Sequence, residues 1–168
     1  MKLKIFFHFL VMIICVLISI FSHKYVKMSD LDGSLSTLQN LSAAIFTLAG
    51  IWVAYLYPQA ILAFTNSKKI SLLKGIENTR RVEELVLVIF LSAVVLLAIL
   101  VFNLTSGIAK NMPFVISNYE VFKQISIVIV LYLSFLQFKS LVSIMSSNIR
   151  FINDLHKTKN EQKANQDL

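Results

Sequence analysis

This chain of 168 residues has little cysteine and very few charged residues inside its long apolar runs. Because Cys15 is the single cysteine, the chain can form neither an intrachain disulfide nor a zinc site built from thiolates. Cys15 is expected to be a small buried apolar residue. All nine Asp and Glu residues lie outside the four long apolar runs of the sequence. Active transport normally needs ionisable groups inside membrane spans, so we do not expect a self-sufficient transporter.

Catalytic and metal-binding patterns are also missing from the sequence. There is no nucleophile elbow, phosphate-binding loop or HExxH motif, and no serine stands beside a plausible base. His8, His23 and His156 are widely separated, which argues against a shared metal ion. We therefore expect no enzyme activity, no metal and no cofactor. His8 is expected either at the headgroup boundary or bonded to a neighbouring helix.

Four apolar runs are the dominant feature of the chain, which is 57% hydrophobic with a mean hydropathy of +0.73. A soluble fold of this size cannot bury so much apolar surface. A helix needs roughly 20 residues to cross a hydrocarbon core of about 30 Å, and backbone in lipid must satisfy its own hydrogen bonds. The sequence therefore predicts an all-α polytopic membrane protein. The four predicted transmembrane helices are residues 5–22, 41–64, 85–104 and 121–140.

Lysine and arginine are unevenly divided among the five segments that precede, separate and follow these four runs. The first, third and fifth segments contain Lys2, Lys4, Lys68, Lys69, Lys74, Arg80, Arg81, Arg150, Lys157, Lys159 and Lys163. The second and fourth contain Lys24, Lys27 and Lys110, and Lys123 stands at the edge of the fourth run. Because positive residues concentrate on the cytoplasmic side, both termini are predicted to face the cytoplasm, most simply at a bacterial inner membrane.

The polar segments are too short to form a second domain, so residues 1–157 are predicted to form a single transmembrane domain. Glu77 and Arg81 stand four residues apart, a spacing that suits a helix surface, so the third helix is expected to begin near Glu77. An amphipathic stripe extends the fourth helix to about residue 157. Both helices should therefore project on the cytoplasmic side. The polar tail, residues 158–168, is expected to be disordered.

Small residues recur along one face of the second span. Ala43, Thr47, Gly50 and Ala54 follow one another at steps of four, three and four residues. Small faces let helix backbones approach closely in lipid, where dispersion and packing replace the hydrophobic effect. The pattern predicts a packing face, either against another span of the same chain or between subunits.

The same span contains a proline and an unusual set of polar aromatic residues. Pro58 removes a backbone hydrogen bond and predicts a kink. The candidate functional surface around it consists of Trp52, Tyr55, Tyr57, Pro58 and Gln59. Such a surface could line a cavity, form a subunit contact or bind a lipid; the alternative is interior packing with satisfied hydroxyls.

The loop after this span predicts a basic cytoplasmic face. Its charged members are Lys68, Lys69, Lys74, Arg80 and Arg81. Apolar residues recur among the three lysines, as in a short interfacial helix against anionic lipid. We expect membrane lipids, further copies of the chain and a cytosolic protein as partners, rather than direct binding to nucleic acid.

Three hypotheses follow for a protein that acts through contact. It could be an oligomeric scaffold, sensor or effector coupled to a cytosolic partner through the basic face. It could be an immunity protein that blocks a pore-forming toxin by helix contacts within the bilayer. It could also be a self-assembled pore lined by Thr47, Tyr55 or Gln59.

The four-span layout, taken over the whole chain, resembles two known families. It is similar to the small four-helix membrane component of anti-phage defence systems such as Kiwa, and to immunity proteins against pore-forming colicins. The resemblance is one of architecture, so no functional residue is carried over. The first resemblance implies a homo-oligomer that senses membrane perturbation and signals to a cytosolic partner that binds nucleic acid.

Overall fold

The fold is all-α in a computed structural model, which describes residues 2–56 and 76–166. Over these ranges the chain forms five helices and no strand. The helices are α1 Lys2–Ser22, α2 Met28–Leu56, α3 Ile76–Ala109, α4 Pro113–Ser117 and α5 Tyr119–Gln166. All except the five-residue α4 are long and apolar enough to cross a membrane. The predicted four-helix membrane protein is therefore confirmed.

The second helix begins earlier than the predicted span, at Met28 instead of residue 41. Its start is capped locally: a carboxylate oxygen of Asp30 accepts a hydrogen bond from the backbone N–H of Lys27 at 3.0 Å. This contact satisfies one of the amide groups that a helix N-terminus leaves without an intrahelical partner. The helix then continues through Gly33 without a break. The end of the predicted span, residues 57–64, lies outside the described residues.

The last helix, α5, extends further than predicted in the C-terminal direction. It continues to Gln166, so residues 158–166 are helical where a disordered tail was expected. The reason is local, because this segment is rich in Lys, Glu, Gln and Ala, which favour helix, and contains neither Gly nor Pro. At 1.5 Å per residue, α5 is about 72 Å long and α3 about 51 Å. Both exceed a hydrocarbon core of about 30 Å, as their predicted extension requires.

Buried positions on three helices follow one another at alternating steps of three and four residues. The buried row on α2 is Leu31, Leu35, Leu38, Ser42, Ile45 and Ala49. The row on α3 is Leu85, Val88, Ser92, Val95 and Ile99. The row on α5 is Ser126, Val130, Leu133, Gln137, Ser140, Ile144 and Ser147. A mean step of about 3.5 residues is typical of the left-handed, knobs-into-holes packing of transmembrane bundles.

Contacts divide the chain into two units, and the single transmembrane domain over residues 1–157 stays a prediction. The first unit contains Met1–Ala44 and Leu91–Phe138. Its core is an apolar cluster from α2, α3 and α5: Leu31, Leu35, Leu38, Val95, Ile99, Ile127, Val130, Leu133 and Leu136. Most side chains of α1 are exposed, and Cys15 is among its few buried ones, as expected. Exposed apolar side chains on a spanning helix are suited to contact with lipid tails.

The second unit contains Ile45–Phe90 and Lys139–Leu168. Its buried apolar cluster is smaller and consists of Ile45, Ala49, Val88 and Ile144. Each of α2, α3 and α5 contributes one segment to each unit. The two units are therefore not two consecutive stretches of the chain. A long helix has different neighbours along its length, which sequence composition alone does not reveal.

Candidate functional site

An aromatic cluster joins α1 to α5 in the first unit. The Tyr132 hydroxyl lies 3.2 Å from Nδ1 of the half-buried His8, within hydrogen-bonding distance. The Phe135 ring packs against both His8 and Phe7, at centroid distances of 6.2 and 5.9 Å. Of the two expectations for His8, the structure shows the bond to a neighbouring helix. The cluster fixes the register of the otherwise exposed α1 against α5.

A second polar contact ties the same two helices together. Ser19 is buried and donates a hydrogen bond to the backbone carbonyl of Gln124 at 2.8 Å. In a lipid environment, side-chain hydrogen bonds of this kind join helices that have no hydrophobic drive to associate. With the pair of His8 and Tyr132, α1 is therefore bonded to α5 at two separate levels.

A layer of fully buried polar side chains lies inside the first unit. Ser42, Ser92 and Gln137 are each 0% exposed, and each comes from a different helix. Each stands next to a member of the apolar cluster in the buried row of its own helix: Ser42 and Gln137 follow one, and Ser92 precedes one. Successive spans run in opposite directions. A step toward the C-terminus in α2 or α5 and a step toward the N-terminus in α3 therefore lead toward the same side of the membrane. The three residues therefore share one layer of the interior.

The polar atoms of this layer are unevenly satisfied. Ser42 donates to the backbone carbonyl of Leu38 at 2.7 Å. Within the described part of the chain, the Ser92 hydroxyl and both amide atoms of Gln137 have no protein partner. A buried polar atom without a partner destabilises a fold by about 1–3 kcal/mol. Gln137 is therefore a costly residue in this interior.

The second unit contains a charged cluster between α3 and α5. The Glu84 carboxylate accepts hydrogen bonds from Nη1 of Arg150 at 3.1 Å and from Nε of Arg80 at 3.2 Å. Arg81, the next residue along α3, is buried, while Arg80 is largely exposed. Two guanidinium groups share one carboxylate, so the cluster carries excess positive charge. It also joins α3 to α5 at positions outside the apolar runs predicted from the sequence, residues 85–104 and 121–140.

The predicted kink surface is described only in part. Trp52 is half-buried, and its ring meets Phe151 of α5 edge-on at 5.5 Å between centroids. Tyr55 belongs to α2, but its side chain lies outside the described residues, as do Tyr57, Pro58 and Gln59. The one described side chain of the set thus takes part in packing within the second unit.

The predicted small-residue stripe does not belong to the buried row of α2. Ala43, Thr47 and Ala54 are exposed and Gly50 is half-buried. A Cβ atom placed on Gly50 would meet nothing within 4 Å. The buried row is displaced from the stripe by one residue, about 100° around the helix. The face toward the other helices is therefore the neighbouring one, and a contact between subunits is the part of the prediction that stays open.

Only part of the predicted basic face lies within the described residues. Arg80 and Arg81 lie on α3, the first in the charged cluster and the second buried. Lys68, Lys69 and Lys74 lie outside the described residues. The structure therefore brings together only the arginine end of this face, and it adds Arg150 from α5.

Sequence reasoning missed Gln137 because it lies beside Lys139, where the fourth span was expected to reach the interface. A signal was nevertheless present in the sequence. Gln137 lies eleven residues after Ser126 and three before Ser140, on one helix face whose apolar members are Val130 and Leu133. Continuing that row to the end of the predicted span would have placed the amide in the interior.

No protein family, curated protein or solved structure matches this chain. The fold and the polar interior define it as an integral membrane protein of the all-α class, with four candidate spans. In the described ranges, 2–56 and 76–166, no three His, Cys, Asp or Glu side chains come together in a way that could hold a metal ion.

Proposed function

We propose that this chain is a non-catalytic scaffold of a bacterial inner membrane. It assembles with further copies of itself and presents its cytoplasmic helix ends to a cytosolic protein. The observation that carries the proposal is the charged cluster, in which Glu84 joins Arg80 and Arg150. Two arginines from two helices share one carboxylate there, and the one positive charge left in excess supports a basic surface for a partner.

The surface continues along α5 beyond the cluster. Lys157 and Lys159 are both exposed on the helix that reaches Gln166. An ordered helix with projecting cations is suited to the acidic surface of a protein partner, because complementary charge speeds encounter and fixes register. Exposed cations at the rim contribute more to association rate and salt dependence than to affinity.

A crosslinking experiment in native cells tests the proposal. A photoreactive amino acid replaces the exposed Asn160, so that the crosslink does not depend on lysine chemistry. We expect a product with a cytosolic protein that disappears in the Lys157→Glu/Lys159→Glu variant. The matched control, Lys24→Glu/Lys27→Glu, makes the same charge change in the predicted external loop and should keep the product. Loss in both variants, or in neither, would contradict the proposed surface.

The biological setting is the part of the proposal that rests on resemblance alone. The four-span layout supports a role in anti-phage defence, in which perturbation of the membrane is signalled to the cytosolic partner. Removal of the gene should then increase plaque formation by at least one phage in a panel. A strictly monomeric protein that protects cells from a pore-forming toxin would instead overturn the scaffold in favour of immunity.

A further inference from the structure

A cleft opens in the first unit where α3 ends and α5 begins. Its volume is about 110 Å³, and its walls include Met28, Ala109 and Phe122. An apolar cavity of about 150 Å³ is large enough to bind benzene, so this cleft has room for a short stretch of hydrocarbon. It cannot enclose a whole lipid.

Two cations line the same cleft. Lys110 and Lys123 both contribute to its walls, together with the hydroxyl-bearing Tyr119 and the buried Ser126. Among the described residues, no Asp or Glu lines the cleft, and neither lysine is in a salt bridge. Four lysines are predicted on this side of the membrane, and the other two, Lys24 and Lys27, do not line it. Two of the four lysines predicted on this side therefore line the cleft, which gathers positive charge at its walls.

The position of the cleft along the helices indicates at which level of the membrane it lies. Ala109 is the last residue of one candidate span, Arg80–Ala109, and Tyr119 is the first of the next, Tyr119–Asn153. The ends of spans lie at the headgroup region, where lipid phosphates are found and where lysine and tyrosine are favoured. Cations at headgroup level above an apolar recess match the chemistry of an amphipathic anion.

We propose that this cleft binds an anionic phospholipid of the adjoining leaflet. The phosphate sits on the ammonium groups of Lys110 and Lys123, and part of one acyl chain lies against the apolar walls formed by Met28, Ala109 and Phe122. This site is independent of the proposed cytosolic partner, because it belongs to the first unit and to the opposite predicted side of the membrane.

Lipid titration of the detergent-purified protein, followed by native mass spectrometry, tests the site. We expect phosphatidylglycerol to bind more tightly than phosphatidylcholine. Each lysine near a membrane surface contributes about 1 kcal/mol to attraction of anionic lipid, so Lys110→Gln/Lys123→Gln should weaken phosphatidylglycerol about thirtyfold. The control Lys24→Gln/Lys27→Gln removes the same charge from the same side and should change affinity less than twofold. Equal loss in both variants would indicate general attraction and overturn the proposal.

A second variant separates the acyl chain from the phosphate. Ala109→Phe fills the recess and leaves both lysines in place, so it should also weaken phosphatidylglycerol. Unchanged affinity in this variant would mean that no chain enters the cleft. Competition by inorganic phosphate at equal concentration would show a free-anion site instead of a lipid site. Either result overturns the proposal, provided that circular dichroism shows the helical content of each variant to be intact.

Discussion

Gln137 is the residue whose position is hardest to reconcile with packing alone. It occupies an interior position between Leu133 and Ser140 in the buried row of α5, and its amide has no partner among the described residues. A leucine would fill a similar volume without a polar group. A polar residue in such a row is known in coiled coils to fix register at the expense of stability.

Replacing this amide by an apolar side chain should therefore stabilise the protein. We expect Gln137→Leu to raise the free energy of unfolding by about 1–3 kcal/mol, the usual penalty of an unpaired buried polar group. Titration with sodium dodecyl sulfate in mixed micelles, followed by circular dichroism, measures the change. The exposed Gln39 supplies a control, since Gln39→Leu should change stability by less than about 0.5 kcal/mol. A less stable Gln137→Leu protein would mean that the amide is bonded in the folded state.

At the scale of the element, α2 presents two different faces. One face packs inside the chain and includes Ser42, Ile45 and Ala49, while the stripe that contains Gly50 lies beside it. Both faces contain small residues at nearly the same spacing. Which of them packs within the chain therefore depends on the neighbouring helices and not on the spacing itself.

The stripe can be tested at Gly50, where a single chain has space for a larger side chain. If copies of the chain meet there, Gly50→Leu should reduce the oligomeric mass in detergent and leave the helical content unchanged. Multi-angle light scattering measures the mass. Gly107→Leu is the matched control, because Gly107 is also helical and a Cβ atom added to it would likewise meet nothing within 4 Å. An unchanged mass for Gly50→Leu would assign the stripe to lipid.

The contact between α2 and α5 in the second unit can be followed by tryptophan fluorescence. Trp52 is the single tryptophan of the chain and lies edge-on to Phe151. Edge-to-face aromatic pairs contribute about 0.5–1.5 kcal/mol beyond their buried area. We expect Phe151→Leu to shift the tryptophan emission and lower the unfolding midpoint. Phe138→Leu, at a position 64% exposed, should leave both unchanged. The same shift in both variants would contradict the contact.

At the scale of the whole molecule, helix length and charge bias together determine how the chain lies across the membrane. Four spans predict that residues 2 and 166 lie on the same side, and the excess of Lys and Arg predicts that this side is the cytoplasm. The long C-terminal part of α5 then projects into the cytosol, where the proposed partner would meet it.

Cysteine labelling tests this topology directly. In a Cys15→Ser background, an impermeant maleimide should label Asn111→Cys in intact cells and label Asn160→Cys only after the cells are permeabilised. Both positions are exposed, so burial does not limit the reaction. The background protein without an added cysteine is the control. The reverse pattern would invert the topology, and labelling of both sites in intact cells would contradict four spans.

Much of the fold was predictable from the sequence because lipid imposes a local rule. A run of about 20 apolar residues without charge must form a helix that satisfies its own backbone, so composition alone identifies the spans. Helix ends were less predictable, since the capped start of α2 at Met28 and the continuation of α5 to Gln166 lie in polar sequence. There, propensity and capping decide the outcome and hydropathy gives no signal.

The sequence by itself determined the all-α class, the number of spans and the separation of charge from the apolar runs. Only the tertiary structure decided which polar side chains are interior, namely Ser42, Ser92 and Gln137, and which face of α2 points toward the other helices. It also brought Arg150 to Glu84 and placed two lysines on one cleft. The physical reason is that a span depends on neighbouring residues in the chain, whereas burial depends on the register between helices that are distant in sequence.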